Sequence, residues 1–201
     1  MSNNPSHMTQ PEMSASAHRY AAEQIYAEVR LDDGTRVLMR PIHLRDVAFE
    51  RRFVEALLPA ARGYRFLETL LSPSEALLQL MASINPATDA AYVAVLGTGD
   101  PELEIGLGRF SSPADGKNCE FAVTVAGEWQ NKGLDTFLME RLIGAASARG
   151  LETLYSSDAC DNTRMRQFAE HLHFHDEQDP DDAQRVRYNV DLKESDPLTT
   201  S

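Results

Sequence analysis

The chain has little cysteine, little positive charge and no long apolar run, and each shortage removes a class of protein. Only Cys119 and Cys160 occur among its 201 residues, too few for a disulfide framework, so both are expected to be thiols in a reducing cytoplasm. Nineteen Lys and Arg stand against 31 Asp and Glu, a formal charge of −12 that repels a nucleic-acid backbone and suits a basic partner or an amine substrate. No apolar stretch reaches the length that spans a bilayer, and residues 1–17 lack the basic start and apolar block of a secretory signal. Neither nucleic acid nor membrane is therefore expected as a partner. Part of the acidic excess is local, in Asp176, Glu177, Asp179, Asp181 and Asp182, and such a run reads as a solvated loop.

The length suits one domain with a substantial core, whereas two would both be small. One domain over 29–192 is expected, between an N-terminal tail (1–28) and a C-terminal tail (193–201). Alternation after the turn dipeptide Asp33-Gly34 predicts a strand over 35–39. Spaced apolar residues predict helices over 43–58 and, after the cap Ser72-Pro73, over 72–81. Strands over 91–96, 102–110 and 118–125 follow as a meander. Leu134, Phe137, Leu138, Leu142 and Ala145 then share one helical face that ends at Gly150. A strand over 151–156, a helix over 162–174 and a strand over 185–192 complete the order. An antiparallel run joined to a strand–helix–strand crossover gives the mixed α/β class, with one mostly antiparallel central sheet and helices on both faces.

The stretch 123–136 carries the most chemistry. A strand passes through Trp129 and the loop Gln130-Asn131-Lys132-Gly133 directly into the helix beginning near Leu134. The N–H groups of a helix start lack internal acceptors, and Lys132 adds charge, so the junction fits an anion such as a diphosphate. The same pattern fits an ordinary strand-to-helix turn.

Here the chain resembles the GNAT N-acetyltransferase superfamily, whose cofactor loop reads Gln or Arg, two residues, Gly, one residue, then Gly or Ala. Gln130 and Gly133 match it, Arg40-Pro41-Ile42 with Asp46 is similar to the family's first strand and helix entry, and Asp161-Asn162, Met165 and Leu172-His173-Phe174 resemble its late helix. The resemblance implies a GNAT-like fold and acetyl-CoA as acetyl donor. It implies that the donor's pantetheine pairs with Phe121, Val123, Thr124 and Val125, that its pyrophosphate is held by Gln130, Asn131, Lys132, Gly133, Leu134, Asp135 and Thr136, and that Asn162 adds a contact. Glu120-Phe121-Ala122-Val123 further resembles the bacterial protein lysine acetyltransferase branch, in which a glutamate here is the general base. An amine must lose a proton to attack a thioester, and a carboxylate at position 120 suits that task. The alternative for Glu120 is a solvated strand residue.

Two positions depart from the family pattern, and one residue type common in the family is missing. Asp135 stands where Gly or Ala is usual, and its carboxylate repels a diphosphate unless it turns to solvent or caps the helix. His173 replaces a glycine, and the late helix lacks the tyrosine that many members use as general acid. The expected function is acetyl-CoA-dependent N-acetylation of a primary amine, small or on a protein lysine, by direct attack. The alternative is a degenerate domain that binds CoA or another ligand as a sensor. Cys119 is expected to be a packed thiol facing away from Glu120, Trp129 a packing anchor, and His171, His173 and His175 surface residues, with no metal site. A homodimer stays open.

Overall fold

The computed structural model describes residues 26–57, 83–85, 88–97, 102–111 and 116–193. Eight strands within them form one sheet: β1 (Ala27–Arg30), β2 (Arg36–Pro41), β3 (Asp89–Leu96), β4 (Leu103–Ser111), β5 (Asn118–Val125), β6 (Thr153–Ala159), β7 (His175–Gln178) and β8 (Arg185–Asp191), in the order β1-β2-β3-β4-β5-β6-β8-β7. All pairings are antiparallel except that of β5 with β6. That exception follows from the connection, because helix α2 (Leu134–Ala148) lies between the two strands in sequence and returns the chain for a parallel start. Helix α1 (Val47–Leu57) follows a 3-10 turn over Leu44–Asp46, and α3 (Thr163–His171) follows β6.

The sheet divides two apolar clusters. On one face Leu134, Leu138, Met139, Leu142 and Ala146 of α2 pack with Tyr92, Ala94, Phe110, Phe121 and Val125, and Ala169 of α3 joins them. Gly106 and Gly108 let α2 come this close: a Cβ on Gly106 would lie 3.1 Å from Leu138 Cδ1 and 3.2 Å from Leu134 Cδ2. On the other face Phe53 and Leu57 of α1 cover Ala91, Val93, Val95 and Leu107. The mixed α/β class with helices on both faces is thus the observed one.

Several elements differ from the sequence expectation. β1 begins at Ala27, inside the stretch assigned to the tail, and pairs with β2 across the Asp33-Gly34 turn. Residues 175–178 form β7 on the edge of β8, so Asp176 and Glu177 belong to a strand rather than a loop. Asp179 is not solvated but buried, accepting hydrogen bonds from the Ser157 hydroxyl and, at 2.9 Å, from the Asp181 N–H. The last helix stops at His171 instead of running to residue 174. His173 adopts φ +57° there, the left-handed geometry for which glycine is preferred, and this turns the chain so that Phe174 packs edge-on against Phe121 and Phe168 with centroids 5.9 and 5.8 Å apart. The helix expected over 72–81 lies outside the described residues, as do 1–25 and 194–201 of the two tails. No described helix is long and apolar enough to cross a membrane.

Candidate active site

Strand pairing places Glu120 at a break in the sheet. The β5–β6 ladder has three rungs, Asn118↔Thr153, Cys119↔Leu154 and Glu120↔Tyr155. β5 then continues to Val125 against β4, and β6 continues to Ala159 against β8, with no further pairing between them. Past Glu120 the two neighbouring strands therefore part, and the edge of β5 over residues 121–125 faces a gap. Backbone groups along such an edge seek hydrogen bonds, and an extended chain carrying amides supplies them. Phe121, Val123, Thr124 and Val125 all lie along this gap.

Alternation along β5 settles the side-chain faces. Cys119, Phe121 and Val125 are buried with α2, and Glu120 on the opposite face is exposed. Cys119 is a fully buried thiol and Cys160 an exposed one, neither in a disulfide. Glu120 shares its face with Ser111 and Tyr155, its register partners on either side.

The loop after β5 brings residues 130–136 to the far end of the gap, beyond Val125. Residues 127–129 form a 3-10 turn, and Gln130 Nε2 reaches back to donate to the Val125 carbonyl at 2.9 Å, tying the loop to the strand. Asn131 (φ +58°) and Gly133 (φ +81°) are both left-handed, so the chain reverses sharply before Leu134 enters the helix and is buried. Gly133 is the N-cap and has no side chain to offer the first turn. The α2 N–H groups consequently point out of the loop, the arrangement an anion uses. Asp135 Oδ1 accepts the Thr136 N–H at 3.1 Å, so its carboxylate has turned onto one of the donors that a diphosphate would seek.

The β1–β2 turn also leans on this loop. Asp32 N donates to the Lys132 carbonyl at 3.2 Å, both Asp32 carboxylate oxygens approach Gly133 to 3.5 Å from the position of a Cβ, and Asp33 Oδ2 pairs with Lys132 Nζ at 2.9 Å. Hydrogen bonds from Thr35 and the Lys132 ammonium hold Asp33 down at about 2. The ammonium also lies 4.4 Å from the Trp129 ring centroid, and Trp129 packs against the core beneath it. Asp32 and Asp33 are site neighbours that the local sequence pattern does not reveal.

Asn162 sits at the start of α3. Its Oδ1 accepts the Met165 N–H at 3.1 Å as the cap of α3, and its Nδ2 donates to Asp158 Oδ2 at 2.8 Å. Burial raises the Asp158 carboxyl above its usual range, against the hydrogen bonds it accepts from Ala159 and Asn162. Both ends of the Asn162 side chain thus hold the β6–α3 junction. His171, His173 and His175 are exposed, and Met165 packs on the core.

Comparison with known proteins agrees with this arrangement. The acetyltransferase (GNAT) domain matches residues 36–175. The acetyltransferase PA5475 of Pseudomonas aeruginosa is 37% identical over 162 residues, covering 81% of this chain and 87% of that protein. In fold, the chain is similar to the GNAT domain of S. lividans PAT (TM-score 0.71, 20% identity, 83% of this chain and 96% of that one). It is also similar to Mycobacterium smegmatis RimJ in complex with CoA-disulfide (TM-score 0.58, 16% identity, 88% and 90%). The parted strands, the loop into α2 and these matches together make the chain a member of the GNAT acetyltransferase family.

Proposed function

We propose that the chain transfers an acetyl group from acetyl-CoA to a primary amine, with protein lysine as the acceptor class, by direct attack of the amine on the thioester. The observation that carries this reading is the position of Glu120: an exposed carboxylate on the last rung before the strands part. The backbone of Phe121, Val123, Thr124 and Val125 would hold the pantetheine arm, and the loop over Gln130, Asn131, Lys132, Gly133, Leu134, Asp135 and Thr136 the diphosphate. When bound, the donor supplies an activated acyl carbon. Glu120 takes the proton that the amine must shed, a role that suits a carboxylate open to solvent on the acceptor side. The acidic chain, at −12, favours a cationic acceptor over a neutral one.

Calorimetric titration of the full chain with acetyl-CoA tests the first half of this reading, and release of free thiol on adding a lysine-containing peptide tests the second. Saturable binding followed by peptide-dependent thiol release is expected. No binding at millimolar acetyl-CoA would contradict the proposal.

A further inference from the structure

We propose that Tyr155 is a catalytic residue of this chain: its hydroxyl gives a proton to the departing CoA sulfur and recovers one from Glu120. The inference rests on the acetyltransferase reading and adds the acid that the sequence leaves unassigned. α3, with the sequence TRMRQFAEH, holds no tyrosine. β6 does, at the one register position that matters.

Glu120 and Tyr155 form the final rung of the only parallel ladder among the described residues. Register partners project to the same face from strands about 4.8 Å apart, so carboxylate and phenol stand side by side where the strands part. The other described tyrosines are elsewhere. Tyr92 pairs with Gly108 and Tyr188 with Ser156, which puts both on the α2 side of the sheet, and Tyr26 meets His43 Nε2 at 3.2 Å beside the far edge. Tyr155 is also held in place. The Arg187 guanidinium lies 4.8 Å from its ring centroid and 4.0 Å from the buried Asp179 carboxylate, so a charged stack fixes the ring from the β8 side. Burial and the neighbouring Glu120 charge push the phenol upward, which keeps it protonated at neutral pH.

The proton count closes. The amine nitrogen bonds to the acyl carbon and loses a proton to Glu120, the carbon–sulfur bond breaks, and the sulfur takes the Tyr155 proton. Protonated Glu120 then returns its proton to the phenolate. Both side chains end as they began, and the products are an amide and a free thiol.

The test compares the wild-type chain with Tyr155→Phe, using a lysine-containing peptide as acceptor and two donors, acetyl-CoA and p-nitrophenyl acetate. The second donor releases a stable phenolate that needs no proton. With acetyl-CoA, kcat should fall about 10²-fold while KM for acetyl-CoA stays within about twofold. With p-nitrophenyl acetate the loss should nearly vanish. Equal losses with both donors would show a packing role and overturn the assignment, as would an unchanged kcat. An acceptor-independent measurement accompanies it: near-ultraviolet absorbance titration, with Tyr155→Phe subtracted to isolate this phenol. Glu120→Gln should lower its midpoint, and an unmoved midpoint overturns the proposed pairing. Failure of wild type to bind acetyl-CoA would instead defeat the acetyltransferase reading itself, which distinguishes the two failures.

Discussion

Asp46→Asn should destabilise the fold by about 3–5 kcal/mol, the usual cost of stranding one partner of a buried ion pair. Arg40 and Asp46 are each 1% exposed, and the guanidinium grips the carboxylate twice, at 2.7 and 2.9 Å. Asp46 also accepts the His43 N–H at 2.7 Å, so one carboxylate closes the end of β2 onto the turn that leads into α1. The asparagine keeps the shape but leaves the Arg40 charge with Glu102 and the Pro41 carbonyl. Glu102 still offers a charge, which places the loss near the lower end of the range. For a domain of this size the melting temperature should drop by about 6–20 °C. Burial opposes the Asp46 charge, yet the hydrogen bonds from Arg40 and His43 outweigh it and hold the carboxyl below its usual range. Its folded value therefore lies under the unfolded value of about 3.9, so its contribution is complete above that pH and is lost as the pH falls through the folded value. Urea unfolding followed by circular dichroism at neutral pH, and again in acid, measures both effects. A loss under about 1 kcal/mol at neutral pH, or a difference between wild type and mutant that stays constant into strong acid, would refute the reasoning.

Three further outcomes follow from the site and its supports. Asp33→Asn frees the Lys132 ammonium from its carboxylate partner, so acetyl-CoA should bind more tightly, most clearly at low salt; unchanged calorimetric affinity would show that Lys132 does not meet the diphosphate. Gly106→Val forces methyl groups into Leu134 and Leu138 and should cost about 1–3 kcal/mol in urea unfolding, with no loss meaning that α2 shifts freely. His173→Gly relieves a left-handed residue and should raise stability by up to about 1 kcal/mol, whereas a lower melting temperature would show that the His173 side chain contributes more than its backbone costs.

The central sheet was legible because its strands alternate and its turns carry Gly, Asp or Pro. The residues of β5, β6 and β8 announce themselves that way, and Cys119 and Glu120 were assigned to opposite faces by parity alone. β7 was not legible: His175-Asp176-Glu177-Gln178 has no apolar residue and forms a strand only because β8 offers an edge. Asp179 misled for the same reason, since its partners Ser157 and Arg187 are distant in sequence. In the site, the loop over 130–136 could be read from its order and spacing. Asp32, Asp33 and Tyr155 could not, because each reaches the site through tertiary pairing with no local motif to mark it. Asn162 was placed near the cofactor by resemblance, and its cap role became visible only with Asp158 and Met165 beside it. Asp135 was expected to repel a diphosphate, turn outward or cap, and it folds onto the Thr136 N–H.

The most direct test of the account is Glu120→Gln, assayed for acetyl-CoA affinity by calorimetry and for amine-dependent thiol release with a lysine-containing peptide. Glu120 is exposed on a register rung and belongs to neither apolar cluster, so the fold and the affinity for acetyl-CoA should stay close to wild type. Turnover at neutral pH should fall by about 10²- to 10⁴-fold, the range for loss of a general base, and should recover in part as rising pH deprotonates the amine in solution. Wild-type turnover in the mutant would contradict the account and place the base elsewhere.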